Sequence, residues 1–325
     1  MDIRHTKDAA ARSLAAAAYP PKKLALIHTG AALGLSLVLT VVNYLLAQNI
    51  DSAPGLSGIG TRTTLSFLQT VLSLAGSVAL PFWEIGILRA ALCISRQESA
   101  TPGTLMEGFR RAGPVLRLLL LELAVTMALI FASTQIASTL YLLTPFSDGL
   151  LEQMEIMAES TQGQLIVDEA LLSQLLPNMM PIYILSAAVL LVVGIPLFYR
   201  FRMARHAIMD DGATGAFAAM KASSRMMRGN RLTLFKLDLS FWWYYGAQLL
   251  MALIAYADTL LPMMGISLPL SGDTTFFLFY GIHLLLQLVL AWTSVSYVQT
   301  AYAHSYNAFT QQLPKSSLPE NKTFV

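Results

Sequence analysis

The sequence predicts an all-α fold: a polytopic membrane bundle of six transmembrane helices, with both termini cytoplasmic and short in-plane amphipathic helices on the cytoplasmic side. Three observations carry that expectation. Hydrophobic residues make up 55% of the 325-residue chain and charged residues only 12%, with a mean hydropathy of +0.57, whereas a soluble domain carries about 25% charged residues. Six stretches reach the length of about 20 apolar residues that a helix needs to cross a bilayer. All but one of the 21 Lys and Arg residues fall on one side of those stretches. Glycine and proline without a period exclude a collagen-like chain, and a single cysteine, Cys93, excludes a disulfide framework.

The spans fall at about 24–47, 64–95, 115–143, 179–203, 232–257 and 274–304. They are read as helices because lipid offers no hydrogen-bond partner to an open strand edge. The first begins too late, and its apolar run is too long, for a cleaved signal peptide. The second and sixth exceed one straight crossing, so tilting or protrusion into the cytoplasm is expected. A basic tail over 1–23 and a tail over 309–325 flank the membrane domain, 24–308.

Orientation follows from the basic residues. They crowd the N-terminal tail, the span 2–3 connection, the span 4–5 connection and the C-terminal tail, and only Arg62 lies opposite. The outer loop 144–178 has no Lys or Arg but carries Asp148, Glu152, Glu155 and Glu159 at helical spacing, and Asp168 and Glu169 beyond. That stripe is a solvated helix face rather than a divalent-cation site, and 165–176 reads as a second outer helix. The near-neutral total of +2 therefore conceals +10 inside and −8 outside.

Two inner segments are expected to lie on the membrane. Over 213–228, a turn of 100° per residue puts Ala213, Phe217, Met220 and Met227 on one face, beside a basic stripe of Lys221, Arg225 and Arg228. The alternative is a connector packed on the bundle. Gly229 and Asn230 then supply a helix stop and a new N-cap. A weaker copy lies over 102–112, with Thr101 as cap and Leu105, Met106 and Phe109 apolar. A shift of 116 residues superposes Arg89 on Arg205, Gly113 on Gly229, Leu118 on Leu234 and Glu122 on Asp238, which suggests that spans 2–3 and 4–5 are copies of one hairpin.

The stretch from Gly194-Ile195-Pro196-Leu197-Phe198-Tyr199-Arg200, through Ala207-Ile208-Met209-Asp210-Asp211-Gly212 and Ser224-Arg225-Met226-Met227-Arg228-Gly229-Asn230, to Leu234-Phe235-Lys236-Leu237-Asp238-Leu239-Ser240-Phe241, resembles an uncharacterised family of bacterial integral membrane proteins. This is domain-of-unknown-function family 975. The clear match covers about fifty residues, and the overall layout agrees over most of the chain. Leu197 stands where the family usually has glycine, so a stiffer bend after Pro196 is expected. The resemblance implies a multi-pass protein of the bacterial cytoplasmic (inner) membrane and no established activity.

Ionisable groups inside spans are expensive and need partners. Glu84, Glu122 and Asp238 each sit one to two turns below the cytoplasmic face, with Arg117, Arg200 and Lys236 placed to meet them. They form either a register-fixing ion-pair network joining spans 2 to 5 or a transport or headgroup site. His28 and His283 read as hydrogen-bonded packing histidines, Gly30 and Gly34 as a close helix-packing face. The run Trp242, Trp243, Tyr244 and Tyr245 points around its helix and makes no binding box. No phosphate loop, dinucleotide fingerprint, paired-cysteine metal motif or nucleophile elbow is present. The expectation is a non-enzymatic scaffold, regulator or assembly partner without cofactor or metal. Its basic face would engage anionic headgroups, another membrane protein or a second copy, and not nucleic acid. The alternative is a transporter or lipid-handling permease.

Overall fold

The computed structural model describes residues 2–52, 59–144, 147–149, 152, 169–211, 214–263, 265, 266, 269 and 271–312. Among these residues the chain is helical and has no strand. In order come α1 Ile3–Ala15, α2 Pro21–Ser52, α3 Ile59–Ser95, a 3-10 turn Pro102–Met106, α4 Glu107–Arg110 and α5 Ala112–Leu142. They are followed by α6 Glu169–Phe201, α7 Ala204–Asp210, α8 Ala216–Met226, α9 Arg231–Ser240, α10 Trp242–Ala255 and α11 Ala257–Met263. The last elements are α12 Gly272–Leu290, a π-helical turn Ala291–Val295 and α13 Ser296–Gln311.

Among the described residues five helices are long and apolar enough to cross a membrane: Pro21–Asn49, Arg62–Ser95, Ala112–Leu142, Met179–Asp210 and Gly272–Gln311. The stretch expected to be a fifth span, 232–257, differs: it is two helices, α9 and α10, hinged at Phe241. The Tyr244 amide bonds the Phe241 carbonyl at 2.9 Å, one residue nearer than the Ser240 carbonyl of a continuous helix. The Ser240 carbonyl instead accepts from Lys7 Nζ of α1 at 3.0 Å. Pro196 does not end α6, which runs on to Phe201 before the chain breaks at Arg202 and Met203.

The expected N-terminal tail is largely a folded helix. Asp2 caps α1 by accepting from the Arg4 amide at 3.0 Å, and Thr6, Ala10 and Ser13 turn inward. α1 packs against α3 and α13, and Ser13 Oγ meets His304 Nε2 at 3.0 Å. α1 therefore lies along α13, and the start of α2 meets the start of α13, where Ser296 Oγ donates to the Pro21 carbonyl at 2.7 Å.

The described residues form two units, Met1–Leu118 with Met203–Val325, and Leu119–Arg202. In the first, burial is concentrated at one end of the long helices. α2 buries Leu24, Ala25 and His28 near its start, α3 buries mainly residues from Phe82 to Ile94, and α13 buries Val298 through Phe309. Only 11% of the most apolar stretch of α2 is buried, so most of its side chains face outward, as lipid-solvated helices do. In the second unit, Ala137, Tyr141 and Ile182 form a small core, and Ser186 Oγ lies 3.3 Å from Thr134 Oγ1.

Glycine sets the tightest packing in the first unit, but not at the expected pair. A Cβ on Gly30 or Gly34 would meet nothing within 4 Å, whereas one on Gly86 would lie 1.9 Å from the Leu105 carbonyl oxygen. One on Gly108 would lie 2.0 Å from the Phe82 carbonyl oxygen. α3 and the 3-10/α4 segment thus touch backbone to backbone, with Phe109 stacked on Phe82 at 5.7 Å.

Shifted by 116 residues, the helices overlap in order, with boundaries offset by up to six residues. α3 maps onto 175–211, occupied by α6 and α7; 102–110 maps onto 218–226, within α8; α5 maps onto 228–258, occupied by α9 and α10. The expected acidic stripe lies outside the described residues except at Asp148 and Glu152, and 169–176 is the beginning of α6 rather than a separate helix.

Candidate functional site: a polar layer at the helix ends

α3 ends on Ser95 because Gln97 adopts φ 60°. The Glu98 amide then reaches back to the Cys93 carbonyl at 2.8 Å and the Gln97 amide to Ile94 at 3.1 Å, a Schellman stop with glutamine in the place glycine usually takes. That stop directs Arg96 across the layer. Its guanidinium pairs with Asp210 at the end of α7, and its Nη2 donates to Asn307 Oδ1 of α13 at 2.8 Å. Asn307 Nδ2 returns a bond to Ser95 Oγ at 2.9 Å, and the Tyr306 hydroxyl donates to Asp210 Oδ2 at 3.1 Å. The Asp210 carboxylate raises the Arg96 pKa further, so the cation is permanent. α3, α7 and α13 are locked together by one shared carboxylate.

The carbonyl end of α7 carries partial negative charge and unsatisfied acceptors. Arg111 Nη1 donates to the Ile208 and Met209 carbonyls at 3.2 and 2.9 Å, and Arg89 Nη1 reaches Met209 at 3.4 Å. Glu107 holds Arg110 at 2.8 Å and Arg111 at 3.6 Å. At the other end of α7, the Met203 amide donates to Ser223 Oγ of α8 at 3.2 Å. Ser223 therefore satisfies a donor that the chain break exposes.

A second cluster forms where α9 breaks. Asp238 is 9% exposed and accepts from the hydroxyl of Tyr302 on α13 and from Tyr245 Oη at 3.4 Å; the two hydroxyls also meet each other. Lys7 lies over the Phe241 ring, 4.5 Å from its centroid, and desolvation lowers its pKa. The N-terminal helix is thus pinned at the hinge.

The residues expected to form one four-span network divide between the two units. Glu84, Arg117 and Lys236 are exposed on α3, α5 and α9, and Asp238 is buried among tyrosines; Glu122 is half-buried and Arg200 exposed in the other unit. Arg96, Asp210, Tyr306 and Asn307 form the network that sequence reasoning missed. Asp210 stood in the family-like stretch, and Tyr302, Tyr306 and Thr310 recur every fourth residue across the expected end of span 6.

The basic stripe is placed differently from its expected apolar partner face. Lys221 and Arg228 are exposed and Arg225 is half-buried, its Nε without a hydrogen-bond partner. Met220 and Met227 pack into the protein, leaving Phe217 outward at 76% exposure; Ala213 lies outside the described residues. The helix stop occurs at Gly229, φ +88°. Asn230 Nδ2 caps backward, donating to the Met226 carbonyl at 2.8 Å, and does not cap α9.

The two histidines both join helices. His28 and Trp83 exchange bonds across α2 and α3: Trp83 Nε1 donates to the His28 carbonyl at 2.7 Å, and His28 Nε2 lies 3.1 Å from the Trp83 carbonyl. His283 Nδ1 sits 2.9 Å from the Met251 carbonyl. Cys93 is buried.

No curated protein and no solved structure matches the chain. The model of one family, protein of unknown function (DUF975), matches residues 22–313, most of the length that carries the bundle and its polar layer, and the chain belongs to that family.

Proposed function

We propose that this is a six-span protein of the bacterial cytoplasmic membrane whose folded inner layer is a non-enzymatic platform for anionic lipid, acting as a scaffold, regulator or assembly partner. Parity supports six crossings. Ser13 of α1 bonds His304 of α13, so both chain ends emerge on one side, which an odd number of spans would forbid. The α9–α10 pair supplies the sixth crossing beside the five long helices. Charge asymmetry supports a cytoplasmic location for that side.

The observation that carries the lipid reading is the fixed outward face of α8. Met220 and Met227 anchor it in the protein, while Phe217, Lys221 and Arg228 face out beside the half-buried Arg225. A ring at headgroup depth flanked by cations suits an anionic leaflet, where each surface cation contributes about 1 kcal/mol. A permease that used the intramembrane acids would need water at Asp238, which lies beneath Tyr245 and Tyr302.

The test is lipid retention in nanodiscs of mixed phosphatidylcholine and phosphatidylglycerol, read by mass spectrometry of the solubilised protein. The wild type is expected to retain phosphatidylglycerol preferentially. The Lys221→Gln, Arg225→Gln, Arg228→Gln variant is expected to lose that preference at least tenfold, within the roughly 3 kcal/mol that three surface cations supply. Equal retention of both lipids by the wild type would refute the reading.

A further inference from the structure

At the opposite end of α2 from the basic layer, a cleft of about 780 Å³ opens between the later half of α2, the early part of α3, α11 and the start of α12. Its volume is in the range of small-molecule sites, about 300–1,000 Å³. Among the described residues two carboxylates, Asp258 and Asp273, line it, and no Lys or Arg does. Arg62 lies seven positions before Gln69 on α3 and is not part of the wall.

The hydrogen-bonding groups of the wall are out of balance. Thr40 Oγ1 donates to Tyr280 Oη at 3.2 Å, and Thr275 Oγ1 to the Ser271 carbonyl at 3.0 Å. Asn43 Nδ2 donates to Ser73 Oγ at 3.2 Å, while Asn43 Oδ1 is buried with no partner. The Tyr44 hydroxyl hydrogen-bonds Asp273, and Gln69 adds a carboxamide to the wall.

The rest of the wall is apolar or aromatic: Leu261, Pro262, Ile266, Phe276 and the face of Tyr44. Among the described residues no three His, Cys, Asp or Glu side chains cluster as a metal site would need. A bare cation would find two carboxylates and an apolar wall, a poor match for the six to eight oxygens that a hard divalent ion takes. An ammonium group on an apolar body matches every part. Its charge would meet Asp258 and Asp273, and its body would cover Leu261 and Phe276.

We propose that this cleft binds an organic ammonium ion. The site stands apart from the lipid-binding face and does not rest on that reading. The probe is dansylcadaverine, a fluorescent primary amine, titrated against the full-length protein in phosphatidylcholine nanodiscs. Two controls remove the charge or reverse it: N-acetyl-dansylcadaverine, and the carboxylate dansyl-aminohexanoate. Saturable fluorescence enhancement is expected for the amine, with at least tenfold weaker binding of both controls. Asp258→Asn and Asp273→Asn are each expected to weaken amine binding about tenfold or more, as loss of one charge-assisted hydrogen bond would. Equal binding of the three probes, or unchanged affinity in both variants, would overturn the proposal. Should Asp273→Asn, in the first turn of α12, prove misfolded by size exclusion, Asp258→Asn and the probe comparison still decide it.

Discussion

Replacing Gly86 by alanine is expected to lower stability by at least the 1–3 kcal/mol typical of forced overpacking. The added Cβ would stand 1.9 Å from the Leu105 carbonyl oxygen and 2.7 Å from its carbon. Backbone cannot rotate out of the way as a side chain can. The 3-10 turn and α4 would have to move off α3, unstacking Phe109 from Phe82 and withdrawing Arg111 from the end of α7. Thermal unfolding in detergent reads the effect. Gly30→Ala is the control: a Cβ there meets nothing within 4 Å, and alanine favours a helix over glycine by about 1 kcal/mol. A fall in Gly86→Ala with no fall in Gly30→Ala is the expected pair of results. Equal falls would mean that α2, and not the α3–α4 contact, is the tightly packed seam.

Asp238→Ala is the second large effect, expected at about 2–3 kcal/mol. Hydrogen bonds to a charged group contribute about 1.5–3 kcal/mol each, and Asp238 accepts from both Tyr302 and Tyr245. Removing the carboxylate leaves two hydroxyls around a buried gap at the hinge where α1 docks. Asp238→Asn keeps an acceptor oxygen and should cost less than half as much. Tyr302→Phe combined with Asp238→Ala should cost less than the sum of the two single changes, since both remove the same bond. Additive losses would show that Asp238 and Tyr302 act separately.

The sequence made the bundle legible because lipid imposes long apolar runs, and the charge asymmetry survives in the placement of Lys and Arg along the chain. Five of the six runs are long apolar helices. The remaining one, the expected span 5, is interrupted at Phe241, and periodicity across 232–257 could not reveal this, because the break is sustained by Lys7, more than two hundred residues away. The expectation that Met220 and Met227 would face lipid failed for a related reason. An amphipathic pattern shows that an apolar face is covered, not whether lipid or protein covers it. The ion-pair network was missed because acids were sought one or two turns inside the spans, whereas Asp210 and Arg96 meet at the helix ends. The overlength of span 6 was the available signal. Its excess residues, beyond about 20 for one crossing, carry Tyr302, and Tyr306 and Asn307 follow just past its expected end.

Cysteine accessibility in intact cells tests the account most directly, because the sidedness of the two chain ends distinguishes six crossings from five. In a Cys93→Ser background, Asp8→Cys on α1, Gln311→Cys at the end of α13 and Ile266→Cys between α11 and α12 would each be treated with a membrane-impermeant maleimide. All three native residues are exposed. The account predicts that Ile266→Cys is labelled from outside, and that Asp8→Cys and Gln311→Cys are labelled only after permeabilisation. Labelling of Gln311→Cys in intact cells while Asp8→Cys stays protected would contradict it.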